Sequence, residues 1–214
     1  MAKREVSGLK KCIAMLIAAL LLTCVTAAAA ADRKTTAETK PKQIGVYTRA
    51  ITANPQDAAA YLDRGNAYRS NNQPELAIAD YTQAIQLKPQ DVPTYAARGL
   101  LYLETKQYDA ALADYSIILE MEPGNIDARF RQGVCYYYMG QYELGIGALE
   151  QVTVLQPNHA GAYLVKGVCY QRLERKEEAI LAYKSLLAVV PVDKQTQEAV
   201  AMAKTMLKKL GVEP

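Results

Sequence analysis

The sequence predicts an all-α protein, an α-solenoid in which antiparallel helix pairs stack along one axis. Three observations carry that expectation. Residue types recur at a fixed step of 34: Tyr68, Tyr102, Tyr136 and Tyr170; Gly65, Gly99, Gly133 and Gly167; and Pro55, Pro89, Pro123, Pro157 and Pro191. A period of roughly 20–50 residues is the mark of a stacked array. Within one period Tyr61, Gly65 and Tyr68 have the spacing of one helix, and Ala77, Tyr81 and Ala84 that of a second. The proline then stops the second helix, because it cannot continue the hydrogen-bond ladder.

In chain order the first element is a leader, residues 1–31. It joins a basic stretch, MAKREVSGLKK, to an apolar run, CIAMLIAALLLTCV, and a string of alanines before Asp32. That layout reads as a secretory signal peptide cut near Ala31. Two other readings stay open. Residues 12–31 are long enough for an uncleaved membrane anchor, for which about 20 apolar residues suffice, and LLTC places Cys24 as in a lipobox. Residues 32–42 are polar, charged and broken by Pro41, and read as a flexible linker. Residues 43–57 supply a second helix alone, a half repeat with Tyr47, Ala50 and Pro55 in register. Four full repeats follow at 58–91, 92–125, 126–159 and 160–193. Residues 194–214 hold one amphipathic helix and a tail, the polar-faced cap that the end of a solenoid requires.

The motif aromatic-x3-Gly-x2-Tyr, then Ala-x3-Tyr, then Pro resembles the tetratricopeptide repeat. The resemblance implies a right-handed superhelix that binds proteins or peptides. Locally, the glycine lets the first helix approach the second, and the small Ala77 and Ala111 let the second settle. Some positions depart from the pattern. Arg64, Arg98, Gln132 and Lys166 stand where leucine is usual, and their stems can cover apolar surface. In the third repeat Arg129 replaces the first aromatic, Gly145 the alanine and Leu149 the second tyrosine. With Gly147 close by, the second helix of that repeat is the expected soft point, since an interior glycine costs about 1 kcal/mol.

Charge and chemistry exclude several function classes. The net charge of +3 resides in the leader, where Lys3, Arg4, Lys10 and Lys11 oppose Glu5 alone; the rest balances at 21 basic and 21 acidic residues, with no footprint for nucleic acid. The single histidine, His159, reads as a solvated turn residue. No Cys/His cluster has metal-ligand spacing, no glycine-rich loop follows a strand, and no nucleophile–base set can be assembled. The expectation is therefore no enzyme, no cofactor and no metal. Cys12 and Cys24 belong to the leader. Cys135 and Cys169 take equivalent places in adjacent repeats, where helices lie at least ~8 Å apart while a disulfide needs Cα atoms within about 7 Å; they read as buried thiols.

The function then rests on surface. The resemblance implies a concave face lined by first helices, where partners bind. By register that face carries Leu62, Asn66 and Arg69; Ala96, Leu100, Leu103 and Glu104; Phe130, Val134, Tyr137 and Tyr138; and Leu164, Val168, Gln171 and Arg172. The candidate partner-binding groove is Asn66, Arg69, Leu100, Leu103, Phe130, Val134, Tyr137, Tyr138, Leu164, Val168 and Arg172. Its apolar, aromatic middle suits an apolar or aromatic segment. The carboxylate clamp of some cytosolic relatives is not expected: Asn66 and Arg131 match, but Leu62, Ala97 and Asp127 replace its other polar members. Of the run Tyr136, Tyr137, Tyr138, only Tyr136 is in the packing register. The expected function is a non-enzymatic protein-interaction scaffold, exported to the periplasm or secreted and meeting a membrane only through its N-terminus. The alternative is a self-associating structural component that forms homo-oligomers through the half repeat or the cap.

Overall fold

The computed structural model describes residues 36–193 and 195–213, with side chains from residue 43 onward. The leader, with Cys12 and Cys24, lies outside them. Among the described residues are ten α-helices and no strand: α1 Thr36–Ala53, α2 Ala58–Ser70, α3 Pro74–Leu87, α4 Val92–Glu104, α5 Tyr108–Met121, α6 Ile126–Tyr138, α7 Tyr142–Leu155, α8 Ala160–Arg172, α9 Lys176–Val189 and α10 Gln197–Lys209. Each helix packs on the next, in the pairs α2/α3, α4/α5, α6/α7 and α8/α9, and α10 lies against both α8 and α9. This is the expected all-α solenoid. The start of α1 differs from expectation: residues 36–42 are helical rather than linker. Ala37, Glu38 and Lys40 are strong helix formers, and Pro41 removes a single backbone donor.

The period has a physical origin at each helix end. Asp57, Asp91, Asn125 and His159 occupy equivalent N-cap positions, and each accepts a hydrogen bond from the backbone N–H three residues on, at 2.9–3.2 Å. His159 is thus a half-buried cap of α8, not a solvated turn residue. The turns within each pair pass through a left-handed residue: Asn72, Lys106, Gly140 and Glu174. Gln73, Gln107, Gln141 and Arg175 then donate back to Tyr68, Tyr102, Tyr136 and Tyr170, closing the first helix in a Schellman-type cap.

The core sits where the paired helices touch. A Cβ on Gly65 would lie 2.6 Å from the Tyr81 ring, and one on Gly133 2.8 Å from Leu149. Tyr81, Tyr115, Leu149 and Tyr183 are fully buried in those approaches, and the replacement of tyrosine by Leu149 leaves the site filled. Cys135 and Cys169 are buried free thiols, and burial pushes both up to about 12.

The arginines in place of leucine do more than cover surface. Arg64 binds Asp80 through two hydrogen bonds, of 2.7 and 2.8 Å, and Arg98 binds Asp114 through two, of 3.0 and 2.7 Å. Arg98 also reaches back 3.0 Å to Thr82 of the preceding pair. Each guanidinium sits between two tyrosines, Tyr61 and Tyr68 or Tyr95 and Tyr102, at 5.6–5.8 Å from their centroids. Where the third and fourth repeats carry Gln132 and Lys166, alanines (Ala148 and Ala182) replace the aspartates.

Candidate protein-interaction groove

The first helices of successive repeats lie closer together than their register alone suggests. Phe130 of α6 is buried against Gly161 and its ring meets His159 of α8 at 4.6 Å. Val134, Leu164 and Val168 are at most 1% exposed, and Leu100, Leu103 and Tyr137 at most 7%. These seven of the eleven candidates form the packing between first helices and offer almost no surface to a partner. Asn66 and Arg172 remain exposed, and Arg69 and Tyr138 half-exposed. Leu62 and Ala96 stay half-exposed and Glu104 exposed, so apolar surface remains on the concave face at Leu62 and Ala96, while the apolar residues of the last two repeats are sealed.

The polar members are committed within the array. Arg69 of α2 binds Glu104 of α4, with Nε donating at 2.9 Å. The equivalent step from the third to the fourth repeat joins the Tyr137 hydroxyl to Arg172. Burial pushes the Tyr137 phenol up, and Arg172 holds it back. The Asn66 carboxamide accepts from the Tyr81 hydroxyl at 2.8 Å, and Gln171 accepts from Tyr183 at 2.7 Å. Arg131 is buried beside the Tyr115 hydroxyl and paired at 2.7 Å with Asp127. A clamp built on Asn66 and Arg131 therefore lacks Arg131, while Asn66 stays exposed beside its bond to Tyr81.

Tyr138 turns outward. Its ring stacks on Tyr108 at 4.8 Å, with 4° between planes, and meets Tyr137 edge-on at 5.2 Å. Among the described residues no group of His, Cys, Asp and Glu could hold a metal ion. Among them, too, no helix is long and apolar enough to cross a membrane.

Residues 58–91 match the tetratricopeptide repeat model, and residues 104–186 match the model of anaphase-promoting complex, cyclosome, subunit 3. The first full repeat is thus similar to a tetratricopeptide repeat. The chain's fold is similar to that of solved MamA structures. One is 22% identical and covers 74% of this chain and 89% of its own, at a TM-score of 0.65. Another is 20% identical and covers 77% and 86%, at 0.67. MamA from Desulfovibrio magneticus RS-1, residue 41 to the end, is 17% identical and covers 82% and 94%, also at 0.67. At these identities the likeness shows the solenoid. No curated protein sequence matches the chain.

Proposed function

We propose that the protein is an interaction scaffold that holds a peptide or protein segment along the concave face, outside the cytoplasm. The observation that carries this reading is the uneven closure of that face. Leu62, Asn66 and Ala96 leave apolar and amide surface open at the N-terminal end, while half-exposed Tyr138 and exposed Arg172 stand beyond a sealed middle. An extended segment would pair its backbone with Asn66 and set an apolar side chain on Leu62 and Ala96. Affinity capture by wild type, Asn66→Ala, Tyr138→Ala and Arg172→Ala tests it, with the fold of each variant confirmed by circular dichroism because Asn66 and Arg172 also bond Tyr81 and Tyr137. Partners retained by all three folded variants overturn the reading. The leader supports export, and N-terminal sequencing of the protein from producing cells checks it: a start at Asp32 is expected.

A second reading, a self-associating component, is favoured by exposed apolar side chains on the last two repeats. Leu144, Val154, Leu155, Leu181, Val189 and Val192 are exposed there, with Val154 at 77%. The cap helix is a poorer candidate, because Lys204, Lys208 and Lys209 face outward. Sedimentation decides: an oligomer that dissociates in Val154→Lys/Leu181→Lys supports self-association, and a monomer at all concentrations removes it.

A further inference from the structure

At the edge where the paired helices turn, four tyrosine rings make one unbroken surface across the second and third repeats. Tyr108 opens α5, Tyr138 closes α6 and Tyr142 opens α7. The rings run from Tyr108 to Tyr138, to Tyr137 and on to Tyr142, with centroid steps of 4.8, 5.2 and 6.0 Å. Tyr137 is buried beneath the other three, which are half-exposed. Packing does not require tyrosine at the exposed places. The helix-opening position is Pro74 and Lys176 in the other repeats, and the helix-closing one is Ser70, Glu104 and Arg172. The turn between Tyr138 and Tyr142 is kept clear: Gly140 has a φ of 76° and open space where a side chain would stand, at the position Lys106 holds one repeat earlier.

Two cations on this side are already committed, Arg172 to the Tyr137 hydroxyl and Arg175 to Glu178, while two carboxylates are not. Asp109 and Glu143 directly follow the two helix-opening tyrosines, both exposed and neither in an ion pair among the described residues. Each also complements the dipole of its helix, which explains a carboxylate there but not the aromatic surface between them. Half-exposed phenol rings flanked by unpaired carboxylates match one side chain best. A planar guanidinium can lie on a ring and donate two parallel hydrogen bonds to a carboxylate.

We propose that this edge is a docking surface for an arginine-bearing polypeptide segment, whose cations lie on Tyr108, Tyr138 and Tyr142 and pair with Asp109 and Glu143. Only Tyr138 is shared with the concave face. Variants at the other four positions therefore test the edge alone, and failure of either surface leaves the other standing.

The test is fluorescence anisotropy of labelled nona-arginine, nona-lysine and nona-glutamate against the full-length chain. Saturable binding of nona-arginine is expected, with nona-lysine several-fold weaker and no binding of nona-glutamate. Asp109→Asn/Glu143→Gln, which changes only exposed groups, is expected to weaken nona-arginine at least fivefold, and Tyr108→Ser/Tyr142→Ser to do the same with an unchanged helical spectrum. The proposal is overturned by absent binding, by equal binding of arginine and lysine peptides, or by affinity that either double variant leaves intact. If the tyrosine variant fails to fold, the carboxylate variant alone decides.

Discussion

Arg98 and Asp114 lie together under two tyrosines, and neither suits that place without the other. The Asp114 side chain is 3% exposed. Burial pushes its carboxyl up, and Arg98 pulls it back. Arg98→Gln alone is expected to cost about 3 kcal/mol, the usual loss when a buried charge is stripped of its partner. Arg98→Gln/Asp114→Ala recreates the Gln132/Ala148 arrangement of the third repeat and is expected to lie within about 1 kcal/mol of wild type. Urea denaturation of the three proteins measures both; a double variant as unstable as the single one would refute the pairing. His159 makes a second residue-scale prediction. Its Nδ1 accepts the Ala162 N–H at 3.0 Å, which only the neutral ring can do, and burial lowers its pKa below the ordinary 6.5 while Asp127 opposes the shift. The folded state thus prefers neutral imidazole. Its stability contribution is complete above pH 6.5 and declines as the pH falls through the depressed folded value. Thermal melts between pH 7.5 and 5 are expected to show that decline, and His159→Asn, which restores an amide cap, is expected to flatten it.

Among the helices, α7 carries two interior glycines with opposite consequences. Gly145 is buried with its Cβ position 3.2 Å from the Gly133 carbonyl oxygen, so it lets α6 and α7 meet; Gly147 is exposed, with open space around it. Gly147→Ala is therefore expected to stabilise the protein by about 1 kcal/mol and to slow hydrogen exchange in α7. Gly145→Ala is expected to destabilise it through the forced separation of the pair. Equal effects of the two would show that helix propensity alone governs α7. The helices themselves were legible in the sequence because each depends on residues within one period: a small residue facing Tyr81 or Leu149, an Asx cap, a closing proline. The cap role of His159 was legible in principle, since it stands in phase with Asp57, Asp91 and Asn125. So was the ion pair, since an aspartate follows Arg64 and Arg98 at sixteen residues and is absent after Gln132 and Lys166. The groove was less legible. Val134 or Leu164 is an apolar residue on the right helix face whether it lines an open cleft or fills a closed seam. Which of these occurs depends on how near α6 comes to α8, for which the one sequence signal is Gly161 against Phe130, where the other repeats carry Ala59, Pro93 and Asp127.

Across the whole array, that distance changes along its length. From Tyr95 to Leu207 the buried side chains form one continuous core, whereas Ala77, Tyr81 and Leu101 form a separate small cluster around the first pair. The first repeat is joined to the rest by that small cluster with Leu101 and Ala97, by Ile85 against the main core, and by two polar contacts, Arg98 to Thr82 and Arg69 to Glu104. α7, despite Gly147, is enclosed by a helix pair on each side. In a stacked array stability is a sum of repeat and interface terms, so the end with the weaker interface opens first. Hydrogen exchange in rising urea is expected to release the amides of α2 and α3 before those of α5 to α9. Raising the salt to 0.5 M is expected to advance that first release, because the half-exposed Arg69–Glu104 pair is screened while the apolar core is not. The polar joint is disproved if all helices exchange at a single urea midpoint that salt leaves unmoved, or if α7 opens ahead of α2. An early-opening first repeat would also place motion where the concave face is open, so a bound segment that spans Leu62 and Ala96 should raise that first midpoint above all others.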